Sequence, residues 1–189
     1  MSDYIKYGKN ILKILKTNGY QAYFVGGFVR DYLCGTFSDD IDITTNALPE
    51  EVLALFPHAK HTGKNFGGVT IIIESYTFEV TTYRLEGKYK QHRYPTDVTF
   101  SLNIEDDLRR RDFTMNALIM DEHEKVQDFI GGKADLDHKL IRTIGTANER
   151  FEEDALRMLR AFRFVSKLGF DIEPATLQAI TDNADLIQT

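Results

Sequence analysis

The feature that most constrains the fold of this 189-residue chain is a short stretch from Gly26 to Asp42. It begins with a glycine pair, Gly26-Gly27, directly after an apolar run. Glycine lets the backbone approach a phosphate closely because it has no side chain and tolerates positive φ. The stretch ends with Asp40 and Asp42, which open a segment of β-favouring residues. Because alternate side chains of a strand point to one face, we expect the two carboxylates to project together.

Two neighbouring carboxylates repel each other unless a cation lies between them, and near phosphates that cation is commonly Mg²⁺, often as a pair of ions roughly 3.5–4 Å apart. The stretch therefore predicts a metal-dependent site for nucleotidyl transfer. Taken by itself, the Asp40-x-Asp42 pattern also suits a solvated acidic turn, but the glycine pair and Arg30-Asp31 nearby favour the site. Arg30 could pair with a phosphate or with Asp31.

Composition restricts the classes of protein that remain. The chain has 29 acidic and 23 basic residues, a net charge of −6, which argues against a general basic nucleic-acid coat but allows a local basic surface. Cys34 is the single cysteine, so neither an intrachain disulfide nor a cysteine-based metal site is expected. No apolar run approaches the ~20 residues of a membrane helix, and the N-terminus lacks a signal-peptide pattern. We expect a soluble, cytoplasmic protein with no membrane partner.

The periodicity of apolar residues predicts a mixture of helices and strands. In order, we expect a helix over residues 4–18, a strand over 20–25, a helix over 28–33, a strand over 40–45, a helix from about 48 to 56, and a hairpin of strands 67–74 and 76–83. Within the last strand, Glu79 faces away from Phe78 and Val80. If that strand pairs near Asp40 and Asp42, Glu79 would complete a three-acid site; otherwise it is an ordinary solvent-facing residue.

Three later segments carry concentrated charge. Residues 84–95 are basic with interleaved tyrosines, which suits contact with nucleic acid or a triphosphate, although a mobile surface loop is the default for this composition. The run Arg109–Arg111 could make bidentate phosphate contacts or form a solvated helix end. Residues 152–168 predict one helix that places Asp154, Arg157 and Arg160 on one face, either as plain salt bridges or as a rigid donor-acceptor edge.

Four motifs in this order resemble the bacterial tRNA nucleotidyltransferase and poly(A) polymerase family, the class that includes the CCA-adding enzymes of bacteria and eukaryotes. The resemblance spans about Tyr20 to Gly169. The motifs are Gly26-Gly27-Phe28-Val29-Arg30-Asp31 with Asp40-Ile41-Asp42, Arg110-Arg111-Asp112-Phe113-Thr114-Met115-Asn116-Ala117, residues 128–135, and residues 153–164 beginning Glu153-Asp154-Ala155-Leu156-Arg157. Each motif is a modest signal, whereas four in order are specific.

The resemblance implies a role for individual residues. The implied catalytic residues are Asp40, Asp42 and Glu79, with Asp40 and Asp42 as ligands of Mg²⁺, as two ions. The implied nucleotide-binding residues are Gly26, Gly27, Arg30, Arg111, Asp112, Asn116, Asp154, Arg157, Arg160 and Arg163. Among these, Asp154 and Arg157 would present a Watson–Crick-like edge to the incoming base. The metal ions would polarise the α-phosphate and activate the RNA 3′-hydroxyl.

The resemblance also implies an α+β fold: a nucleotidyltransferase head with a small mixed sheet flanked by helices over residues 1–140, then the beginning of an all-helical neck over residues 141–189. The family's helical body and tail, which would carry most of the tRNA contact, are expected to be absent from this chain. One departure concerns Gln91, where the family often has an acid. It leaves open how the enzyme would switch from cytosine to adenine.

The implied function is template-independent addition of CCA to the tRNA 3′ end, with CTP and ATP as substrates and pyrophosphate as the leaving group. A poly(A) polymerase, or an enzyme that adds only CC or only A, shares the motifs; the intact 84–95 segment argues against a CC-only enzyme. A non-catalytic nucleotide- or RNA-binding module would gain little from the clustered acids. A phosphodiesterase lacks a supporting His-Asp cluster. The oligomeric state stays open, a homodimer being one option.

Overall fold

The computed structural model describes residues 3–36, 38, 40–62 and 66–188. The helices are α1 (Asp3–Thr17), α2 (Gly27–Leu33), α3 (Pro49–Leu55), α4 (Ile104–Arg109), α5 (Gly132–Asp137), α6 (Ala147–Glu153), α7 (Leu156–Leu168) and α8 (Pro174–Asp182), with 3₁₀ turns at Thr114–Asn116 and Ala184–Gln188. The strands are β1 (Ala22–Val25), β2 (Ile41–Thr45), β3 (Lys60–His61), β4 (Gly68–Ile73), β5 (Tyr76–Thr82), β6 (Arg84–Glu86), β7 (Tyr89–Lys90), β8 (Tyr94–Pro95), β9 (Val98–Phe100), β10 (Ile119–Met120), β11 (Val126–Gln127), β12 (Leu140–Ile141) and β13 (Asp171–Ile172). The expected α+β class is confirmed.

Within these residues, seven strands form one mixed sheet in the order β11-β10-β1-β2-β5-β4-β3. Strand β2 pairs antiparallel with β1 and parallel with β5, and β4 and β5 form the expected hairpin. The β2–β5 register sets Asp42 beside Glu79 and Ile43 beside Val80. Because paired residues of neighbouring strands face the same way, the two acids share one face of the sheet and the two apolar residues share the other.

Helix α1 covers the apolar face of the sheet with Ile11, Leu12 and Leu15, which are fully buried together with the apolar residues of β2. A glycine inside this helix would ordinarily cost about 1 kcal/mol relative to alanine. Here it is required, because a Cβ on Gly8 would lie 2.8 Å from the ring of Phe24. The close approach of α1 leaves the acidic face of β2 free on the other side.

One sequence prediction about helices is wrong. Residues 152–168 form two helices, α6 and α7, rather than one, and the break falls at Asp154. Asp154 has extended dihedrals (φ −137°, ψ 99°), and its carboxylate accepts a hydrogen bond of 3.1 Å from the backbone N–H of Leu156. This is an Asx turn, in which an aspartate side chain competes with the helical backbone for a donor. Asp154 therefore does not share a helical face with Arg157 and Arg160.

The basic segment 84–95 is folded into paired strands, not an irregular loop. Strand β6 pairs with β9, and β7 pairs with β8 around a turn in which Gln91 and His92 have φ of 52° and 46°. The turn reaches the helices that follow, because the backbone N–H of Ala155 donates to the carbonyl of His92 at 2.9 Å. None of the helices among the described residues is both long and apolar enough to cross a membrane.

Candidate active site

A polar cavity of about 770 Å³ lies between the acidic face of β2, the segment 84–95, the arginines after α4 and helix α7. It is lined by every residue that the sequence analysis assigned to the site except Glu79. Three of the four motif segments, which are separated along the chain, therefore meet around one space; residues 128–135, the remaining segment, do not line it. The individual roles of these residues stay predictions.

The acidic end of the cavity carries Asp40, just before β2, and Asp42, within it. The pKa of Asp42 is raised to about 6, chiefly by burial; Arg111 lowers it, and the charges of Asp40 and Glu79 add to the rise. Glu79 lies beside Asp42 in register, but its carboxylate accepts a 2.7 Å hydrogen bond from the hydroxyl of Thr70. The result is a concentration of negative charge on one face of the sheet, at its central strands β2 and β5.

The acidic end of the cavity offers a metal ion few protein ligands. In the part of the chain that the structure describes, no three His, Cys, Asp or Glu side chains converge closely enough to hold one. Mg²⁺ is commonly bound by only one or two carboxylates, with substrate phosphates and water completing its octahedron. Asp40 and Asp42 are hard oxygen donors that fit such a partial site. The raised pKa of Asp42 comes first from burial and then from the charges of Asp40 and Glu79, and a bound cation would offset both.

The glycine turn lies directly against these acids. Gly26 has φ 74° and ψ −139°, a backbone conformation that is strongly disfavoured for residues other than glycine. A Cβ at this position would lie 3.4 Å from Oδ2 of Asp42 and 3.5 Å from Nη1 of Arg111. The turn thus brings bare backbone between a carboxylate and a guanidinium group.

Arg30 is held by protein partners. Its Nε and Nη2 lie 2.8 and 2.6 Å from Oδ1 of Asp31, and its Nη1 donates to Oδ1 of Asn116 at 2.7 Å. The guanidinium also lies 5.1 Å from the ring centroid of Phe164 on α7. The sequence left open whether Arg30 pairs with a phosphate or with Asp31, and in the structure it pairs with Asp31. With this pairing, Arg30 also lines the cavity.

Asp112 joins the arginine motif to helix α7. Its Oδ1 accepts from the backbone of Phe113 at 2.8 Å and from Nδ2 of Asn116 at 3.1 Å. Its Oδ2 lies 2.7 Å from Nε and 2.6 Å from Nη2 of Arg160. Further along α7, Arg163 lines the cavity with no hydrogen-bond or ion-pair partner among the described residues.

The three consecutive arginines have different environments. Arg109 is exposed and pairs with Glu105 at 3.0 Å. Of the two interpretations of the arginine run, the solvated helix end therefore applies to this residue. Arg110 and Arg111 instead bind Asp107, which is fully buried in α4. Asp107 was missed by the sequence analysis. Its spacing of three and four residues from the two arginines, which is a contact spacing on a helix, could have indicated it.

Arg157 is buried and held on several sides. Its Nη1 donates to Oε2 of Glu153, four residues earlier in the chain, at 2.7 Å, and its Nη2 donates to the hydroxyl of Tyr89 at 3.4 Å. Asp154 instead lies 3.3 Å from Nη1 of Arg93. The two residues expected to read the base are thus close in sequence but bound to different partners, both involving the segment 84–95.

That segment contributes residues that the sequence analysis did not single out. Glu86 is bound by Arg84 at 2.6 Å and by the hydroxyl of Tyr89, and Arg110 approaches it at 3.4 Å. The ring centroid of Tyr89 lies 5.8 Å from the guanidinium carbon of Arg157. The basic and aromatic composition of residues 84–95 indicated a binding segment, but it did not indicate which of their side chains would contact Arg157.

A mixed sheet with paired carboxylates beside a glycine turn, facing a cavity lined by arginines from a flanking helix, defines a nucleotidyltransferase head domain. The family profile described as the poly A polymerase head domain matches residues 22–142. The chain belongs to this family.

Relatives and solved structures agree. The chain is 52% identical over 177 residues to the CCA-adding enzyme of Geobacillus kaustophilus (strain HTA426), a match covering 94% of this chain and 44% of the relative. It is 48% identical over 177 residues to the CCA-adding enzyme of Staphylococcus aureus (strain MRSA252), covering 93% of this chain and 44% of the relative. The crystal structure of the Bacillus stearothermophilus CCA-adding enzyme in complex with CTP matches with a TM-score of 0.91 and 46% identity, covering 99% of this chain and 45% of that one.

A further structure, a tRNA nucleotidyltransferase complexed with a primer tRNA and an incoming ATP analog, matches with a TM-score of 0.72 and 29% identity over 93% of this chain and 50% of that chain. The chain therefore spans about half the length of the proteins it matches, and 44% of the curated relatives above.

Proposed function

We propose that this chain is the catalytic head, residues 1–140, and the beginning of the neck, residues 141–189, of an enzyme that adds CCA to the 3′ end of tRNA. CTP and ATP would supply CMP and AMP to the RNA 3′-hydroxyl, with release of pyrophosphate. The observation that carries the proposal is the meeting of the glycine turn and paired acids, the arginine motif and the start of α7 around one cavity. The identity of about one half to CCA-adding enzymes supports it.

Asp40 and Asp42 would hold Mg²⁺, as two ions, at the acidic end of the cavity. Bound Mg²⁺ supplies Lewis-acid polarisation of the α-phosphate and lowers the pKa of the attacking hydroxyl. Glu79 would contribute negative charge from the neighbouring strand as the third catalytic carboxylate. The bare backbone at Gly26 and Gly27 leaves room for the triphosphate beside these acids.

The basic side of the cavity would bind the rest of the nucleotide. Arg30 and Arg111 would face the triphosphate, where guanidinium groups suit phosphate oxygens. Asp112 and Asn116, already oriented by their mutual hydrogen bond, would hold the ribose. Arg160 and Arg163 line the same wall on α7 and would neutralise further phosphate charge.

Asp154 and Arg157 would read the base, one as hydrogen-bond acceptor and the other as donor. Such a pair selects a neutral base by matching its Watson–Crick edge, because a base that leaves either buried group unpaired is penalised. In this structure Asp154 is paired with Arg93, whose side chain is 43% exposed. A weak, solvent-accessible ion pair of this kind can be exchanged for a base at little cost.

The deciding experiment uses the full-length protein, Mg²⁺ and a tRNA that lacks its last three nucleotides. CTP and ATP are given separately and together, and products are sized to one nucleotide. We expect two additions with CTP, one more when ATP is present, and then a stop. An open adenosine ladder would instead establish a poly(A) polymerase, the alternative that the family's description brings forward.

A stop after only C or only A would identify a specialised enzyme. Absence of extension, together with nucleotide binding that needs no metal and survives Asp40→Ala and Asp42→Ala, would favour a non-catalytic binding module. We place the enzyme in the cytoplasm. For its oligomeric state, light scattering of the full-length protein would distinguish a monomer from a homodimer.

A further inference from the structure

Asp107 is a carboxylate with no access to solvent, located in α4 behind the wall of the cavity. A buried carboxylate is retained in its charged form only when cations and hydrogen-bond donors replace the water it has lost. Burial by itself would raise the pKa of Asp107, but Arg110 and Arg111 outweigh burial and hold the pKa below its ordinary value. The side chain is therefore a fixed negative charge inside the protein.

Every donor to this carboxylate comes from an element that borders the cavity. Oδ1 accepts from Nε and Nη2 of Arg110 at 2.9 and 2.7 Å. Oδ2 accepts from Nη2 of Arg111 at 3.0 Å and from the hydroxyl of Thr44 at 3.1 Å. Thr44 lies two residues after Asp42 on β2, so the strand that carries the paired acids also anchors Asp107.

Arg111 has an alternative partner close by. Its Nη1 and the Oδ2 of Asp42 both lie within 3.5 Å of the point where a Cβ on Gly26 would be. Its Nε is buried without a partner among the described residues. Without Asp107, an arginine with free donors would be drawn towards the Asp42 carboxylate, because opposite charges attract strongly in a buried site. The arginine would then cover a proposed metal ligand and turn away from the phosphates.

We propose that Asp107 is a positioning residue for nucleotidyl transfer: it holds the Arg111 guanidinium towards the triphosphate and away from Asp42. The inference rests on the proposed function, in which Arg111 contacts the triphosphate. Arg110, bound to the other oxygen, ties the same carboxylate to Glu86, so the anchor also links β2 with the segment 84–95. If Asp107 served only to balance charge in the fold, its loss would leave nucleotide kinetics unaltered in protein that stays folded.

The test compares Asp107→Asn with the parent full-length enzyme in single-nucleotide addition of CMP to tRNA. We expect the kcat/KM for CTP to fall at least tenfold with the KM for tRNA within twofold, because triphosphate orientation is lost while the RNA surface is untouched. The conservative variant Asp107→Glu, which keeps the charge, should recover part of the loss. A matched control is Glu105→Gln, an exposed carboxylate paired with Arg109 on the same helix, which should stay within twofold of the parent.

A double-mutant cycle separates positioning from general damage. If Asp107 acts through Arg111, adding Asp107→Asn to Arg111→Ala should cost less than threefold more in kcat/KM. Additive losses, or kinetics of folded Asp107→Asn within twofold of the parent, would overturn the proposal. If Asp107→Asn fails to fold, Thr44→Val removes only the anchoring hydroxyl, and it should lower the same kcat/KM at least threefold; an unchanged value rejects the inference.

A measurement of nucleotide binding distinguishes a failure of the proposed function from a failure of this inference. CTP binding without tRNA is measured by calorimetry for the parent and for each variant. Should the parent not extend tRNA, at least tenfold weaker CTP binding by Asp107→Asn would still support the positioning role. Equal CTP binding by the two proteins would contradict it.

Discussion

Arg160 of α7 places Nε and Nη2 2.7 and 2.6 Å from one carboxylate oxygen of Asp112. The two residues are 48 positions apart, and their contact joins the arginine motif to the helix that carries Arg157 and Arg163. The side of the cavity assigned to the ribose and the side assigned to the base are therefore connected. The predictions below test parts of this arrangement.

Asp42→Ala should abolish nucleotide transfer. If Asp42 holds Mg²⁺ as proposed, its loss removes Lewis-acid stabilisation of the order of several kcal/mol, which corresponds to at least about a thousandfold in rate. Thermal unfolding should show an intact fold, because removing a buried, partly neutralised acid relieves charge repulsion. Asp137→Asn, an exposed acid outside the cavity, is the matched control and should keep parental activity. Turnover of Asp42→Ala with Mg²⁺ would reject the metal assignment.

Arg157→Ala should weaken the choice of base more than the binding of the triphosphate. We expect the ratio of correct to incorrect incorporation, measured with each of the four nucleoside triphosphates in single turnover, to fall at least about tenfold, or about 1.4 kcal/mol. The KM for CTP should change less than about threefold. Because Arg157 is buried and paired with Glu153, stability should also fall by about 1–3 kcal/mol. Unchanged base selectivity would remove Arg157 from the template role.

Gly26→Ala should lose both stability and activity. The strained φ and ψ of Gly26 would cost alanine about 1–3 kcal/mol, and the added methyl group would intrude between Asp42 and Arg111. Gly145→Ala is a useful comparison, since Gly145 also has positive φ (75°) but no neighbour within 4 Å of its Cβ position. It should lose stability while transfer per folded molecule stays normal. Equal activity of the two variants, corrected for folded fraction, would show that the site tolerates the methyl group.

Asp128→Ala should destabilise the start of α5 in a pH-dependent way. Its carboxylate accepts hydrogen bonds from the backbone N–H groups of residues 130–133, which outweigh partial burial and lower its pKa. A lowered pKa in the folded state means that the carboxylate stabilises the fold above its unfolded pKa of about 3.9 and that this contribution is lost as pH falls through the folded value. At neutral pH the loss should be about 1 kcal/mol or less, given the exposure of Asp128.

Urea unfolding of the parent and Asp128→Ala at pH 7, 5 and 3 checks this prediction. The difference in unfolding free energy should be the same at pH 7 and 5 and should shrink towards pH 3. A difference that is constant across all three pH values would mean that the carboxylate charge does not contribute.

Much of the acidic half of the site followed from local pattern. The alternation of residues in β5 predicted that Glu79 would face away from Phe78 and Val80 but left open whether it would meet Asp42; the β2–β5 register sets the two acids side by side. The glycine pair was recognisable because a turn beside a strand end needs residues that tolerate positive φ, as Gly26 does. These features depend on neighbours within one or two elements, so short-range rules were sufficient.

The break at Asp154 was not predictable from helical periodicity. The apolar and charged residues around it continue the 3.6-residue pattern, and only the Asx turn to Leu156, together with the hydrogen bond between Ala155 and His92, interrupts the helix. A contact with a residue more than sixty positions away is invisible to a window of one or two turns. A similar separation hid the contact of Arg157 with Tyr89, although its partner Glu153 lies only four residues away.

The sequence by itself determined most of the helices and strands up to residue 83, the paired carboxylates, the glycine turn and the four motif segments, because each depends on residue types at fixed short spacings. Tertiary structure alone decided which charges neutralise which. Arg30 pairs with Asp31 and donates to Asn116, and Asp154 pairs with Arg93. Arg110 and Arg111 both pair with the buried Asp107. The physical reason is that an ion pair is selected by distance and burial in three dimensions, and a chain rich in both charges offers each arginine many acids in sequence but few in space.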